Sequence, residues 1–186
     1  MRIVSGEYKY RKIEIPKEIR PTTEKVREAV FSILSFKVED SVVLDLFAGS
    51  GSLGLEALSR GAAKCYFNEN KKNILEILKE NIHSCRAEDK SIVMNSDFRQ
   101  GIGMINDKLD IVFIDPPYKD GYNNGWYEKS MKLIEDKGLA KDGTIVVAEH
   151  LDKYSLDEEY GSFKMIKNKK YGSIGINIYI YEEKRQ

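Results

Sequence analysis

Cysteine, histidine and long apolar stretches are scarce in this sequence of 186 residues. The two cysteines, Cys65 and Cys85, and the two histidines, His83 and His150, lack the spacing of zinc ligands or of a recognisable catalytic triad. We therefore expect no metal site, and reduced thiols typical of a cytoplasmic protein. No apolar run approaches the roughly 20 residues that a transmembrane helix needs. The first residues also lack the apolar core of a signal peptide, so we expect no membrane partner.

Net charge is absent as well, because 30 Lys and Arg balance 30 Asp and Glu. A balanced total argues weakly against a nucleic acid partner. The distribution of charge argues for one, because residues 1–37 and residues 163–186 each carry a net charge of +4, and the middle of the chain carries −8. Two basic ends are consistent with a phosphate-binding face, and equally with ordinary solvated surface.

Short apolar segments alternate with segments of helical period from residue 41 onwards. This alternation predicts an α/β fold with a doubly wound, mostly parallel, seven-stranded sheet. The predicted strands are residues 42–46, 65–67, 92–94, 110–114, 144–148, 162–168 and 174–181. The predicted helices are residues 52–60, 71–84 and 126–137, with a short one after Asp97. The last two strands leave no room for a crossover helix, so we expect an antiparallel hairpin at one edge of the sheet.

The residues before the sheet are predicted to form an extension to it. Residues 3–15 alternate loosely and suggest a small strand pair. Thr22 or Thr23 can then cap a helix whose first turn contains an acidic residue. We therefore expect an N-terminal hairpin and helix extension over residues 1–37 and a sheet domain over residues 38–186.

The most informative segment for function is Asp-Ile-Val-Phe-Ile-Asp-Pro-Pro-Tyr at residues 110–118. An apolar strand ends at Asp115, and Pro116 and Pro117 stop it in a stiff turn that Tyr118 follows. Ligands bind at the carboxyl edge of open α/β sheets. There, the Asp115 carboxylate and the Pro116 carbonyl can accept both hydrogens of an amino group, while an aromatic ring stacks on a base. The segment favours chemistry on the exocyclic amine of a nucleobase, unless it is simply a strand that stops at two prolines.

A glycine-rich loop provides the second signal. Gly49, Gly51 and Gly54 follow the first predicted strand with the spacing of a nucleotide-binding loop, which lets a ligand approach the backbone at a helix start. A tight strand–helix turn would also use these glycines. Asp45, at the strand end, disfavours a pyrophosphate and attracts an ammonium group, such as that of S-adenosylmethionine. The alternative role for Asp45 is to cap the glycine turn.

Two further acids follow strands at the same predicted edge. Glu69 lies 20 residues after Gly49, where an acid is expected to accept hydrogen bonds from ribose hydroxyls. Asp97 can accept from an adenine amino group, and the Phe98 ring can pack against the adenine face. A solvated acid at Glu69 and an ordinary turn at Asp97 are the alternatives. Tyr171 is equally consistent with a base pocket and with plain packing.

In these motifs the chain resembles the class I S-adenosylmethionine-dependent methyltransferases, and more narrowly the bacterial RsmD family. The resemblance rests on Arg2–Gly6, Arg20–Thr23, Arg27, Glu28, Phe31, Asp45–Gly51, Leu53–Ala57 and Asp115–Tyr118. It implies S-adenosylmethionine as the cofactor, with Phe47 and Ala48 among the residues that bind it. It also implies methyl transfer to the N2 amine of a guanine in small-subunit ribosomal RNA. The partner would be that RNA or a partly assembled small subunit, and residues 115–118 would be the catalytic turn.

Two other functions fit the same residues. Enzymes that methylate amines of DNA or protein share the Asp-Pro-Pro-Tyr turn, and a non-enzymatic nucleotide-binding module would need only the glycine loop. For an RNA enzyme, the target base must be unstacked before it can react. Phosphate contacts are then expected from basic residues of the extension, with solvated surface as the alternative. These candidates are Arg2, Lys9, Arg11, Lys12 and Arg20.

Overall fold

A computed structural model describes residues 1–185 and contains eight strands and six α-helices in that range. The strands are β1 (Val42–Asp45), β2 (Lys64–Asn68), β3 (Ser91–Met94), β4 (Ile111–Ile114), β5 (Ile145–Leu151), β6 (Glu159–Tyr160), β7 (Phe163–Tyr171) and β8 (Ile174–Tyr181). The α-helices are α1 (Glu24–Leu34), α2 (Ser52–Ser59), α3 (Lys72–Cys85), α4 (Phe98–Gly103), α5 (Tyr118–Asn123) and α6 (Trp126–Asp136). Two short 3-10 helices cover Ser35–Lys37 and Glu88–Lys90.

All eight strands form one sheet in the order β3-β2-β1-β4-β5-β8-β7-β6. The first five of these are parallel, whereas β8 is antiparallel to β5, and β7 to β8. The predicted α/β fold with a mostly parallel sheet and an antiparallel hairpin is therefore confirmed. The strand count is eight rather than seven, because the two-residue strand β6 is too short to show a period in the sequence.

The N-terminal extension differs in detail from its prediction. The strand pair predicted over residues 3–15 is reduced to one antiparallel bridge between Arg2 and Lys12, with backbone hydrogen bonds from Ile3 N to Arg11 O and from Tyr10 N to Ile3 O. Tyr10, which has a φ of 69°, turns the chain between them. The left-handed conformation at Tyr10 interrupts the extended backbone that a ladder requires. Helix α1 begins as predicted, with the Thr23 hydroxyl accepting a hydrogen bond from Val26 N at 3.3 Å.

Hydrophobic clusters cover both faces of the sheet. On the first face, apolar side chains of the extension, α1, α2 and α3 pack against alternate residues of the strands. On the second face, α4 and α6 pack against the intervening strand residues. Alternate side chains of a strand point to opposite faces, so two clusters on one sheet are what the alternation of strands and helices requires. In the described part of the chain, no helix combines the length and the apolar character that crossing a membrane would require.

The extension is fastened to the first face by polar contacts as well. The buried carboxylate of Glu56 on α2 accepts hydrogen bonds from Val4 N at 2.9 Å and Ser5 N at 3.1 Å. Arg27 on α1, which is fully buried, lies with its Nε 3.6 Å from Glu56 Oε2. Removing one partner of a buried ion pair leaves an uncompensated charge, which is strongly destabilising. These contacts hold residues 1–37 firmly against the sheet.

Candidate active site

A cavity of about 480 Å³ opens at the carboxyl edge of the parallel strands. Its volume lies in the range of small-molecule sites. Of the twelve residues predicted to form the site, eleven line this cavity. They are Asp45, Phe47, Ala48, Gly49, Glu69, Asp97, Phe98, Asp115, Pro116, Pro117 and Tyr118. The twelfth, Gly51, does not line the cavity.

The glycine loop is shaped by packing as much as by access. Gly49 and Gly51 have φ angles of 54° and 81°, which favour glycine. A Cβ atom at Gly51 would lie 2.5 Å from Leu78 Cδ1, and one at Gly54 would lie 2.3 Å from Phe67 Cε1. These two glycines let α2 approach α3 and β2 closely. Gly49 faces the cavity instead, where a Cβ atom would lie 2.8 Å from Ile19 Cδ1.

Asp45 is buried at the end of β1, with 2% of its surface exposed. Its Oδ2 accepts a hydrogen bond from Gly54 N at 3.0 Å, so it caps the first turn of α2. Burial raises its pKa to about 7, and the nearby charge of Glu69 adds to this, although the bond from Gly54 N opposes it. Asp45 also lines the cavity. The capping role and a cation-binding role are therefore compatible, because the carboxylate can accept further bonds.

Glu69, just past β2, holds the loop in shape. Its Oε2 accepts from Gly49 N at 3.1 Å, and its Oε1 accepts from Lys71 N at 2.9 Å. Each oxygen of an ionised carboxylate retains a second lone pair. Glu69 can thus bind ribose hydroxyls, as the sequence predicts, while keeping both backbone contacts.

Asp97 and Phe98 have protein partners in addition to their place at the cavity. Asp97 caps α4 by accepting from Arg99 N, and it also accepts two hydrogen bonds from the Arg99 guanidinium. The hydrogen bonds from Arg99 lower the pKa of Asp97. Phe98 packs against Phe47 and Trp126 with ring centroids 5.4 and 5.5 Å apart. Trp126, which the sequence did not single out, completes this aromatic wall of the cavity.

The proline turn contacts two side chains that the sequence analysis did not place in the site. Tyr118 donates its phenol hydrogen to Glu149 Oε1 at 2.6 Å. The Thr22 hydroxyl donates to Glu149 Oε2 at 2.9 Å and lies 3.4 Å from Asp115 Oδ2. Thr22 was predicted as an alternative cap for α1, but Thr23 takes that role. Glu149 lies at the carboxyl end of the predicted strand at 144–148, so the rule that identified Asp45 and Asp115 would also have identified Glu149.

Asp115 and Glu149 form a pair of acids linked by one hydroxyl. Burial and the charges of Glu149 and Asp45 raise the pKa of Asp115 well above its usual range. Burial also raises the pKa of Glu149, opposed by the hydrogen bonds from Tyr118 and Thr22. Neighbouring carboxyl groups resist simultaneous ionisation, so this end of the cavity retains a proton more readily than an exposed acid would.

The contacts of His150 and Tyr171 are with other residues of the protein, outside the lining of the cavity. The His150 ring lies between Leu151 O, 2.8 Å from Nδ1, and Asn177 Oδ1, 3.1 Å from Nε2. Tyr171 packs at the margin of the first-face cluster and does not line the cavity. Within residues 1–185, no three His, Cys, Asp or Glu side chains are grouped as a metal ion would require.

The arrangement is suited to a cationic, flat ligand. Asp45, Glu69, Asp97 and Asp115 line the cavity together with the aromatic wall, and Glu149 lies beside it through its bond to Tyr118. A pyrophosphate would be repelled by this set of carboxylates, whereas an ammonium or sulfonium group would be stabilised by it. The Asp115 turn adds acceptors for an amino group at the same cavity.

Comparisons with known proteins show which family and which folds this chain resembles. The sequence model of the family described as conserved hypothetical protein 95 matches residues 1–180. Ribosomal RNA small subunit methyltransferase D of Escherichia coli (strain K12) is 32% identical over 181 residues, which cover 96% of this chain and 89% of that protein. A solved structure described as putative methyltransferase yhhF from Escherichia coli is 32% identical, with a TM-score of 0.87 and 99% of both chains covered. An RNA methyltransferase from Salinibacter ruber, solved in complex with S-adenosyl-L-homocysteine, shares the fold at 14% identity, with a TM-score of 0.66 over 90% of this chain and 97% of that one.

Proposed function

We infer a function from the family to which this chain belongs, the RsmD family, described as conserved hypothetical protein 95. We propose that the protein methylates the N2 amine of a guanine in small-subunit ribosomal RNA, with S-adenosylmethionine as donor. The observation that carries the proposal is the meeting of two motifs in one cavity. The glycine loop with Asp45 follows β1, the Asp115–Tyr118 turn follows the neighbouring strand β4, and both contribute to the lining of the cavity. A non-enzymatic nucleotide-binding module would not need the second motif.

The residues around the glycine loop fit S-adenosylmethionine. Asp45 offers a negative charge to its cationic methionine part, and Glu69 offers acceptors to its ribose hydroxyls. The wall of Phe47, Phe98 and Trp126 offers apolar contact to its adenine ring. Asp97 lies beside this wall as an acceptor for the adenine amino group. When bound, S-adenosylmethionine supplies an electrophilic methyl group.

The proline turn fits the acceptor. The guanine N2 amine is a poor nucleophile, because its lone pair is delocalised into the ring. Asp115 and the Pro116 carbonyl would accept its two hydrogens and favour a pyramidal nitrogen. Tyr118, whose ring is oriented by the bond to Glu149, would stack on the base. Positioning of the amine supplies most of the acceleration in such a site.

The protonation of Asp115 decides whether it can serve as an acceptor. Burial and the charges of Glu149 and Asp45 raise its pKa well above the usual range, which favours the protonated form. A cation held close to Asp45 and Asp115 lowers the pKa of both groups. Asp115 can then hold the amine and take the proton that nitrogen releases. The acid pair thus prepares the site for a positively charged donor.

The test is methyl transfer with separate acceptors. The protein and labelled S-adenosylmethionine are incubated with small-subunit RNA, DNA and protein, and the labelled RNA nucleoside is identified. We expect N2-methylguanosine in RNA, and Asp115→Ala should retain cofactor binding but lose transfer. Asp89→Ala, which changes an exposed acid before β3, is the matched control and should behave as the wild type. Label in DNA or protein alone, or full activity of Asp115→Ala, would refute the proposal.

A further inference from the structure

The two basic ends of the chain pack on the same face of the sheet. The extension, with its net charge of +4, packs on the first face through Ile3, Val30 and Phe31. The second basic end includes β7 and β8, and the β8 residues Ile174, Ile176 and Ile178 belong to the same cluster.

Strand β7 places a row of lysines on that face. Residues 163–181 contain four lysines and no acid, so the rest of the chain has a net charge of −4. Lys167 lies opposite Ile178 and Lys169 opposite Ile176, so their side chains share the face of those isoleucines. A β-bulge between Met165 and Lys167 also brings Lys164 opposite Ile180, onto the same face.

The lysines of β7 differ in their partners. Lys164 pairs with Glu182, its Nζ 2.8 Å from Oε2, and Lys170 on the opposite face pairs with Asp152. Among residues 1–185, no carboxylate oxygen lies within 4 Å of Lys167 or Lys169, and both are exposed. Their charge is therefore available to an external anion.

The row leads to the rim of the cavity. Strand β8 begins beside the carboxyl end of β5, because Ile174 lies opposite Leu151 and Ile176 opposite Glu149. The turn between β7 and β8 is therefore at the same edge as the acid pair. There, Arg20 Nη2 lies 3.5 Å from Ser173 Oγ, and Arg20 also lines the cavity.

We propose that Lys167 and Lys169 bind the phosphate backbone of the RNA whose base enters the cavity, with Arg20 continuing this basic row to the rim. The inference rests on the proposed function and adds where the RNA lies. Alternate residues of a strand are about 6.6 Å apart, so the two ammonium groups can contact separate phosphates along one strand of RNA.

The same lysines have a competing explanation. β6 pairs with only the first two residues of β7, Phe163 and Lys164. Beyond Met165, one side of β7 therefore has no neighbouring strand in the described residues. Lysines on an open edge strand discourage pairing with other chains. Edge protection predicts self-association when the lysines are removed, whereas an RNA surface predicts a change in the salt dependence of RNA binding.

The experiment measures binding of a mixed-sequence single-stranded RNA oligonucleotide at several salt concentrations, because phosphate contacts are independent of sequence. Lys167→Gln/Lys169→Gln is compared with Lys167→Arg/Lys169→Arg and with Lys129→Gln/Lys132→Gln. The last pair changes two exposed lysines on α6, at the second face. Sedimentation of each variant reports self-association.

We expect the plot of log association constant against log salt to be less steep by about 1.4 for Lys167→Gln/Lys169→Gln, at roughly 0.7 per lost contact with single-stranded RNA. If the lines meet at 1 M salt, this equals about 25-fold weaker binding at 0.1 M. The arginine pair and the α6 pair should keep the wild-type slope. An unchanged slope in Lys167→Gln/Lys169→Gln, with or without self-association, overturns the proposal that these lysines bind RNA. The proposed function stays intact in that case if the wild-type protein transfers methyl groups to RNA. A wild type that neither binds nor methylates RNA overturns both.

Discussion

Replacing Asp45 by asparagine tests how much the buried negative charge of Asp45 costs in stability. The amide side chain introduced by Asp45→Asn keeps an oxygen that can accept from Gly54 N, so the cap of α2 is retained. What disappears is a buried group whose pKa is about 7 in the folded protein, against a reference value of 3.8. The folded protein therefore binds a proton more tightly than the unfolded chain. The contribution of Asp45 to stability is fully present below pH 3.8 and is lost as the pH rises to about 7.

The size of the effect follows from the shift. Each pKa unit corresponds to about 1.4 kcal/mol, so three units make charged Asp45 cost about 4 kcal/mol above pH 7. Between pH 5 and pH 8 the cost grows by about 3 kcal/mol. Asp45→Asn should therefore gain stability relative to the wild type by about this amount across the same interval. Urea unfolding at both pH values measures it, with fluorescence of Trp126, the only tryptophan, as the signal. A stability difference that is the same at pH 5 and pH 8 would refute the argument.

Cofactor affinity should change in the opposite direction. With a pKa of about 7, roughly one tenth of Asp45 is charged at pH 6 and nine tenths at pH 8. The wild type should thus bind S-adenosylmethionine about tenfold more tightly at pH 8 than at pH 6. Asp45→Asn should lack this change in affinity. The variant would be more stable and a weaker binder, which is a trade-off typical of functional sites. If the affinity of Asp45→Asn still changed between pH 6 and pH 8, the change would have to come from titration of Asp115 and Glu149.

Three further substitutions probe the site and its supports. Glu149→Gln removes the charge beside Asp115, so the pKa of Asp115 should fall and the acid limb of the kcat profile should move to lower pH. An unmoved limb would contradict the coupling of the two acids. Gly54→Ala places a methyl group against Phe67 and should lower the free energy of unfolding by about 1–3 kcal/mol in urea titration, and a neutral result would show that α2 can move away. Thr23→Ala removes the cap of α1 and should cost about 1 kcal/mol without changing kcat, whereas a loss of kcat would mean that α1 positions the turn more directly.

The sequence predicted most of the sheet because parallel strands between helices leave a strong periodic signal. It also predicted acids at the strand ends, since the carboxyl edge is a property of the topology rather than of any one contact. Short elements escaped: β6 has two residues, and α5 begins directly after Pro117 and has six. The N-terminal strand pair is shorter than predicted, because left-handed backbone at Tyr10, where a side chain is present, is not visible in an alternation of residue types.

The site residues that the sequence did not predict are those whose contacts lie far apart along the chain. Thr22 and Glu149 are 127 positions apart, and nothing near Thr22 distinguishes it from Thr23 as a helix cap. Trp126 joins the aromatic wall only because α6 packs beside α4. Gly51 was predicted to meet a ligand, and a Cβ atom there would also lie 2.5 Å from Leu78 Cδ1, so packing by itself favours glycine. Local patterns cannot separate these two uses of glycine.

The hydroxyl of Thr22 has a consequence for any attempt to shorten or transplant this protein. A fragment beginning at residue 38 would retain every strand and the whole glycine loop. It would nevertheless leave one oxygen of Glu149 without its donor and expose Asp115 on that flank. Grafting the reaction onto another scaffold would therefore require the segment around Thr22 to travel with the sheet, although it is remote from it along the chain.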